Sequence, residues 1–231
     1  MKKLLILITA LSLLAGCKTV MDTPKSIPMG SWNYRLYMNG AEMGSAVLTY
    51  EEKANLYIST MTMSITAGPV QSTSKEVVTE TKSFVPVKLE IYNQVISNGS
   101  TQNIDIVAVF NGKDIDVTAG GNTARITIDK PFVLGGNYLA KALLDKNFEK
   151  NSSASADIYS PSLELEDTVK VEERVIGVET VSINGKEENL IHIKQIMEDF
   201  QESEIHIDSK GVVRKMRTLM LNNLMELVID K

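Results

Sequence analysis

Cysteine is almost absent: Cys17 is the only one in 231 residues. A single thiol excludes an internal disulfide, a redox pair and a cysteine-built zinc site. Histidine is nearly as scarce, with only His192 and His206. The chain has no Gly-x-Ser-x-Gly, no His-Glu-x-x-His, no phosphate-cradling glycine loop and no Gly-x-Gly-x-x-Gly. Basic clusters are missing too, and the net charge is −5. That balance argues against nucleic acid and against electrostatic docking on anionic lipid. No apolar run approaches the roughly 20 residues of a membrane-spanning helix. No repeat of 20 to 50 residues appears, which argues against a propeller or solenoid. The expectation is a protein that is not an enzyme, with no catalytic residue, no metal and no cofactor.

What is present begins at the N-terminus. Lys2 and Lys3 precede an apolar run from Leu4 to Leu14, then Ala15, Gly16 and Cys17. A basic start, a short apolar core and a small-residue cleavage site read as a secretory signal over residues 1–16. Leu14-Ala15-Gly16-Cys17 resembles the lipobox of bacterial lipoproteins. That resemblance implies a diacylglyceryl group on the Cys17 thiol, cleavage between Gly16 and Cys17, and a further acyl chain such as palmitate on the new amine. The partner would then be a membrane, held through acyl chains alone, each buried methylene contributing about 0.8 kcal/mol. Residues 17–30, with Pro24 and Pro28 and no apolar period, read as the lipidated cysteine and a tether. Thirteen residues span at most about 45 Å when extended. Lys18 stands where an Asp would signal inner-membrane retention in many Gram-negative bacteria, so by resemblance the outer membrane of the cell envelope is favoured.

From residue 31 to 231 the sequence reads as one curved, mainly β domain. Trp32, Tyr34, Leu36 and Met38 alternate with Asn33, Arg35 and Tyr37, the period-two pattern of a strand with one wet face. Asn39-Gly40 follows, and both positions of a type I′ turn need φ > 0. The device recurs at Asn98-Gly99, Asn111-Gly112 and Asn184-Gly185; Gly120-Gly121 and Asp208 to Gly211 are further turns. Similar alternation recurs around Met61, Leu89, Ile106 and Ile126. Hairpins joining such runs predict an antiparallel meander. One helix is predicted at about 137–148, capped by Asn137, with Leu139, Ala142 and Leu143 on one face. Glu149 to Asp157 reads as a loop. After Val169 the strands resume, and the last two are expected to meet at an Asn222-Asn223 turn.

Tyr34 to Gly40 with Met43-Gly44, the middle helix, Gly177 to Gly185 and Asp208 to Arg214 resemble a group of largely uncharacterised bacterial envelope proteins. These are related in fold to the lipoprotein carrier and the outer-membrane lipoprotein receptor. The resemblance covers about residues 31–230. It implies a half-barrel whose concave face is plugged by helix. Relatives with known roles hold acyl chains on that face.

Several residues carry possible chemistry. Ser72 and Lys75 match Ser-x-x-Lys by letter but sit in a strand-like stretch. Asp114 and Asp116 lack the third ligand and the glycine spacing of a calcium loop. His192 and His206 would face each other across a hairpin centred near Asp199, with Glu204 and Asp208 nearby; metal binding needs three or four ligands on a rigid frame. Methionine is abundant, with 11 residues, and flexible thioethers suit either an uneven core or a wall that adapts to acyl chains. The expected function is a lipid-anchored envelope protein holding an apolar ligand, a lipid or a lipidated partner protein. Its wall would be Trp32, Tyr34, Met38, Met61, Met63 and Ile65. The alternative is a structural or assembly lipoprotein that uses the sheet as a protein-binding face.

Overall fold

The computed structural model describes residues 21–220 and 223–230; Gly16 and Cys17 lie outside them. Eight strands come first: β1 (Gly30–Met38), β2 (Ala41–Lys53), β3 (Leu56–Ala67), β4 (Val70–Thr81), β5 (Pro86–Ser97), β6 (Ser100–Asn111), β7 (Asp114–Ala119) and β8 (Asn122–Thr127). A crossover carries α1 (Asn137–Leu144). Six strands complete the chain: β9 (Ser153–Ile158), β10 (Val169–Ile183), β11 (Lys186–Met197), β12 (Gln201–Ile207), β13 (Val213–Met220) and β14 (Asn223–Ile229). All belong to one antiparallel sheet of 14 strands, in the order β8 to β1, then β14 to β9. The sheet is curved and not closed, a half-barrel, and α1 is the single helix among the described residues. It is too short to cross a membrane.

Turn chemistry explains the meander. Asn39 and Gly40 have φ of 49° and 82°, and the Asn98-Gly99 and Asn184-Gly185 pairs match them closely. Positive φ at both central positions is the type I′ signature, whose twist suits a hairpin. The Asn111-Gly112 prediction shifts by one residue. Asn111 pairs with Asp114 inside the ladder, so Gly112-Lys113 forms the turn with positive φ at Gly112 alone. At the last hairpin Asn223 already pairs with Met220, so it is not a turn residue; positions 221 and 222 lie outside the described residues.

The crossover departs from expectation in two places. The helix ends at Leu144 rather than near 148, and its cap is Gly136, with Asn137 the first helical residue. Asn147 and Phe148 adopt φ of 52° and 47°, and the Phe148 N–H donates to the Leu143 carbonyl. This left-handed exit drives Phe148 into the core, so tertiary packing stops the helix early. The expected loop over 149–157 contains β9, an edge strand paired with β10. Its Ser and Ala side chains are poor strand formers but small, and Ala154 and Ala156 let α1 sit against them.

Three apolar clusters fill the concave side. Leu89, Ala108 and Ile115 pack on Leu134 and Tyr159 of the crossover. Leu139 and Leu143, both fully buried, pack on Val171, Val175, Ile193 and Ile205. Each such side chain contributes about 1.5–3 kcal/mol by leaving water. Tyr34, Ala46, Leu190 and Ile229 join the first strands to the last. Gly44 permits the close approach of β2 to β3: a Cβ there would stand 1.9 Å from the Ser64 carbonyl oxygen.

Candidate functional site

A cavity of about 200 Å³ opens between the first hairpin, α1, the C-terminal strands and residues 24–28. Register brings its walls together. Tyr34 pairs with Ile229, and Ile205 stands between Ile193 and Met216 on neighbouring strands. Alternation then points Trp32, Tyr34 and Leu48 at Ile193, Ile205 and Met216, while Leu144 and Phe148 close the side from the crossover. The lining is overwhelmingly apolar, and its polar exceptions include Tyr50, Asn137, Glu173 and Gln195.

Glu173 is the most consequential of these. It pairs with Gln195 across the β10–β11 ladder and accepts a 2.8 Å hydrogen bond from Gln195 Nε2. Burial pushes its carboxyl up to about 7, against the opposing pull of that hydrogen bond. Burial also raises the Tyr50 phenol to about 12, and the neighbouring Glu173 charge adds to the effect. Tyr34 is likewise raised, chiefly by burial, and its hydroxyl donates to the Val213 carbonyl.

Of the six predicted wall residues, Trp32 and Tyr34 line this cavity. Met61, Met63 and Ile65 share the face that carries them, because Trp32, Leu48 and Met61 fall in one row and Tyr34, Ala46 and Met63 in the next. Met63 packs on the cluster around Ala46, whereas Met61 is 36% exposed and lies opposite Glu76. Met38 is also partly exposed, at the far end of β1. None of Met38, Met61, Met63 or Ile65 lines the cavity. Its methionine is Met216. Sequence reasoning missed Glu173 and Gln195.

Over residues 21–28 the expected tether packs against the body. Pro24 is buried, Met21 packs on the cluster around α1, and Pro24 and Pro28 rest on Gly211. Pro24, Ser26, Ile27 and Pro28 border the cavity. Pro24 and Pro28 bring this stretch against the 208–213 turn.

The other candidates separate clearly. Ser72 and Lys75 lie on β4, three residues apart and therefore on opposite faces of the sheet. Asp116 holds Arg125 in a bidentate pair on β7–β8. His192 and His206 do face each other, their rings stacked with centroids 4.7 Å apart. Glu204 contacts His192, but Asp208 is engaged elsewhere, accepting from the Lys210 and Val212 N–H groups of its own turn.

No family model matches the sequence, and no curated protein does. Comparison with solved structures gives matches of differing closeness. A β-barrel-like protein of a domain of unknown function, DUF1849, from Brucella abortus superposes with a TM-score of 0.64 at 11% identity, covering 87% of this chain and 95% of that one. A candidate lipoprotein from Parabacteroides distasonis matches at a TM-score of 0.31 and 11% identity, over 90% of this chain and 96% of that one. A candidate exported protein with a YmcC-like fold from Bacteroides fragilis gives 0.32 and 6%, over 91% and 98%.

Proposed function

We propose that this protein is a lipid-anchored component of the bacterial cell envelope that holds one alkyl or acyl chain of an amphiphile or lipidated partner, without catalysis. The observation that carries the reading is the cavity itself: apolar walls with a few polar groups gathered at Glu173. At about 30 Å³ per water-sized group, its 200 Å³ holds about seven methylenes, a chain segment rather than a whole lipid.

The polar groups narrow the ligand class. Glu173 and Gln195 offer acceptor oxygens, and a second anion beside Glu173 would be repelled in this dry setting. The favoured head is a hydroxyl, amide or amine. A fatty-acid carboxylate suits the site only when Glu173 is protonated.

The N-terminal segment supports loading from a membrane. With Cys17 acylated, only Lys18, Thr19 and Val20 separate the anchor from Met21, which packs on the body. Four residue steps reach about 14 Å, so the cavity mouth beside Pro24 would be held near the lipid surface. The outer membrane is the proposed site, on the strength of Lys18 after the cysteine.

The test is mass spectrometry of the protein purified from its native membrane in mild detergent. One amphiphile per chain with an uncharged or cationic head is expected, together with an acylated Cys17 that Cys17→Ser abolishes. Protein free of any bound amphiphile, or label still incorporated into the Cys17→Ser variant, would refute the corresponding half.

A further inference from the structure

On the β10–β12 surface a second group of side chains converges. His192 and His206 are directly paired across the β11–β12 hairpin. A register shift at Ile176 then carries Glu179 of β10 up to both rings. Its Oε2 lies 3.1 Å from His192 Nδ1 and 3.3 Å from His206 Nε2. The donor atoms of the three residues all lie within 4.8 Å of one another. We propose that Glu179, His192 and His206 form a binding site for a divalent transition metal ion, with a fourth position open to solvent.

The distances from Glu179 fit that chemistry. A tetrahedral site with metal–ligand bonds of about 2.0–2.1 Å has ligand–ligand edges of about 3.3–3.4 Å. The two separations from Glu179 are close to that edge. Imidazole and carboxylate together suit zinc, copper, nickel or iron rather than magnesium or calcium.

The hydrogen bonding points the same way. His192 faces a carboxylate at each nitrogen, Glu179 at Nδ1 and Glu204 at Nε2. With a metal at Nδ1, Glu204 would hold the remaining Nε2–H, as carboxylates commonly do behind a ligating histidine. The neighbouring cations are occupied: Lys215, opposite His206, pairs with Glu226, and Lys194 pairs with Glu202. The stacked rings differ by 20° in plane, so capture requires each to turn about its Cβ–Cγ bond, a broad torsion.

Calorimetry with zinc chloride on the full chain, stripped with a chelator, tests the site. One zinc per chain is expected. Glu179→Gln, at a half-exposed position, and His192→Ala each remove one of three ligands. Each should weaken binding at least as much as the loss of an outer partner, about 10- to 100-fold. Circular dichroism of Glu179→Gln should be unchanged, so that its loss of zinc is not a loss of fold. Absence of saturable binding to the parent protein, or binding that neither substitution weakens, overturns the assignment.

Discussion

The cavity's size makes a sharp prediction about chain length. Each methylene that leaves water for the cavity contributes about 0.8 kcal/mol, or about fourfold in affinity. With room for about seven methylenes, affinity for 1-alkanols should rise about fourfold per carbon to roughly heptanol and then level off. Ala140, on the cavity-facing side of α1, provides the perturbation. Ala140→Leu adds three carbons, about 90 Å³ by the same measure, and Leu is nearly as good a helix former as Ala. The plateau should move down to about four carbons. Heptanol should lose three methylenes of burial, about 2.4 kcal/mol or roughly 50-fold. Displacement of a neutral solvatochromic probe, read for butanol through decanol on both proteins, gives the two curves. A parent series without a plateau, or a plateau that Ala140→Leu leaves in place, would refute the assignment of this cavity as the chain site.

Two further outcomes follow from the buried carboxyls and the tight sheet. Glu80 and Glu173 both have their carboxyls raised to about 7 by burial, from an ordinary 4.5. The folded state therefore holds protons that the unfolded state has lost, so stability falls as pH rises from about 4.5 to about 7. The penalty is on the order of 3 kcal/mol per group at higher pH. Urea unfolding at pH 5 and pH 8 should show this drop, and Glu80→Gln should reduce it; a stability that climbs between those pH values would be the contrary result. Gly44→Ala should cost about 1–3 kcal/mol, because its methyl meets the Ser64 carbonyl; unchanged thermal unfolding would contradict the 1.9 Å approach.

Local chemistry was easy to read. Three of the four Asn-Gly pairs form the turns expected of them, since that dipeptide tolerates positive φ at both positions. The alternation around Trp32 and Met61 correctly put those residues on one face. Long-range pairing was not legible. Nothing local announces that β1 joins β14, yet this seam sets Tyr34 beside Ile229 and brings the C-terminal Ile205 and Met216 to the cavity. For that reason Met61 and Ile65, on the right face, fall outside the cavity, while Met216 falls inside. β9 was hidden by its Ser and Ala content, and the helix end by a buried phenylalanine. Glu179 was obscured differently. A one-residue shift at Ile176, beside Gly177 with φ of 148°, changes which strand positions share a face. The two histidines were legible as a pair, but their third neighbour depended on that shift.

The two buried carboxyls have different roles, and their partners show which. Glu80 accepts the main-chain N–H of Leu134 at 3.0 Å, in the segment that plugs the sheet. That donor is fixed by the backbone and would otherwise be orphaned in the core, so Glu80 serves to pin the crossover. Glu173 has a side-chain donor, Gln195, and stands on a cavity wall. A carboxylate has about four lone-pair sites, and the Gln195 amide occupies one of them. An arriving hydroxyl or ammonium can therefore bond to Glu173 without displacing main chain, which Glu80 could not allow. The desolvation that raises Glu173 is a cost the folded protein bears whether or not a ligand is bound, and a hydrogen-bonding head group would relieve part of it. Glu173→Leu, which removes the polar end and leaves the apolar walls intact, should therefore weaken alkanols while sparing alkanes of the same length. Equal weakening of both would place the effect in packing and leave the head-group assignment without support.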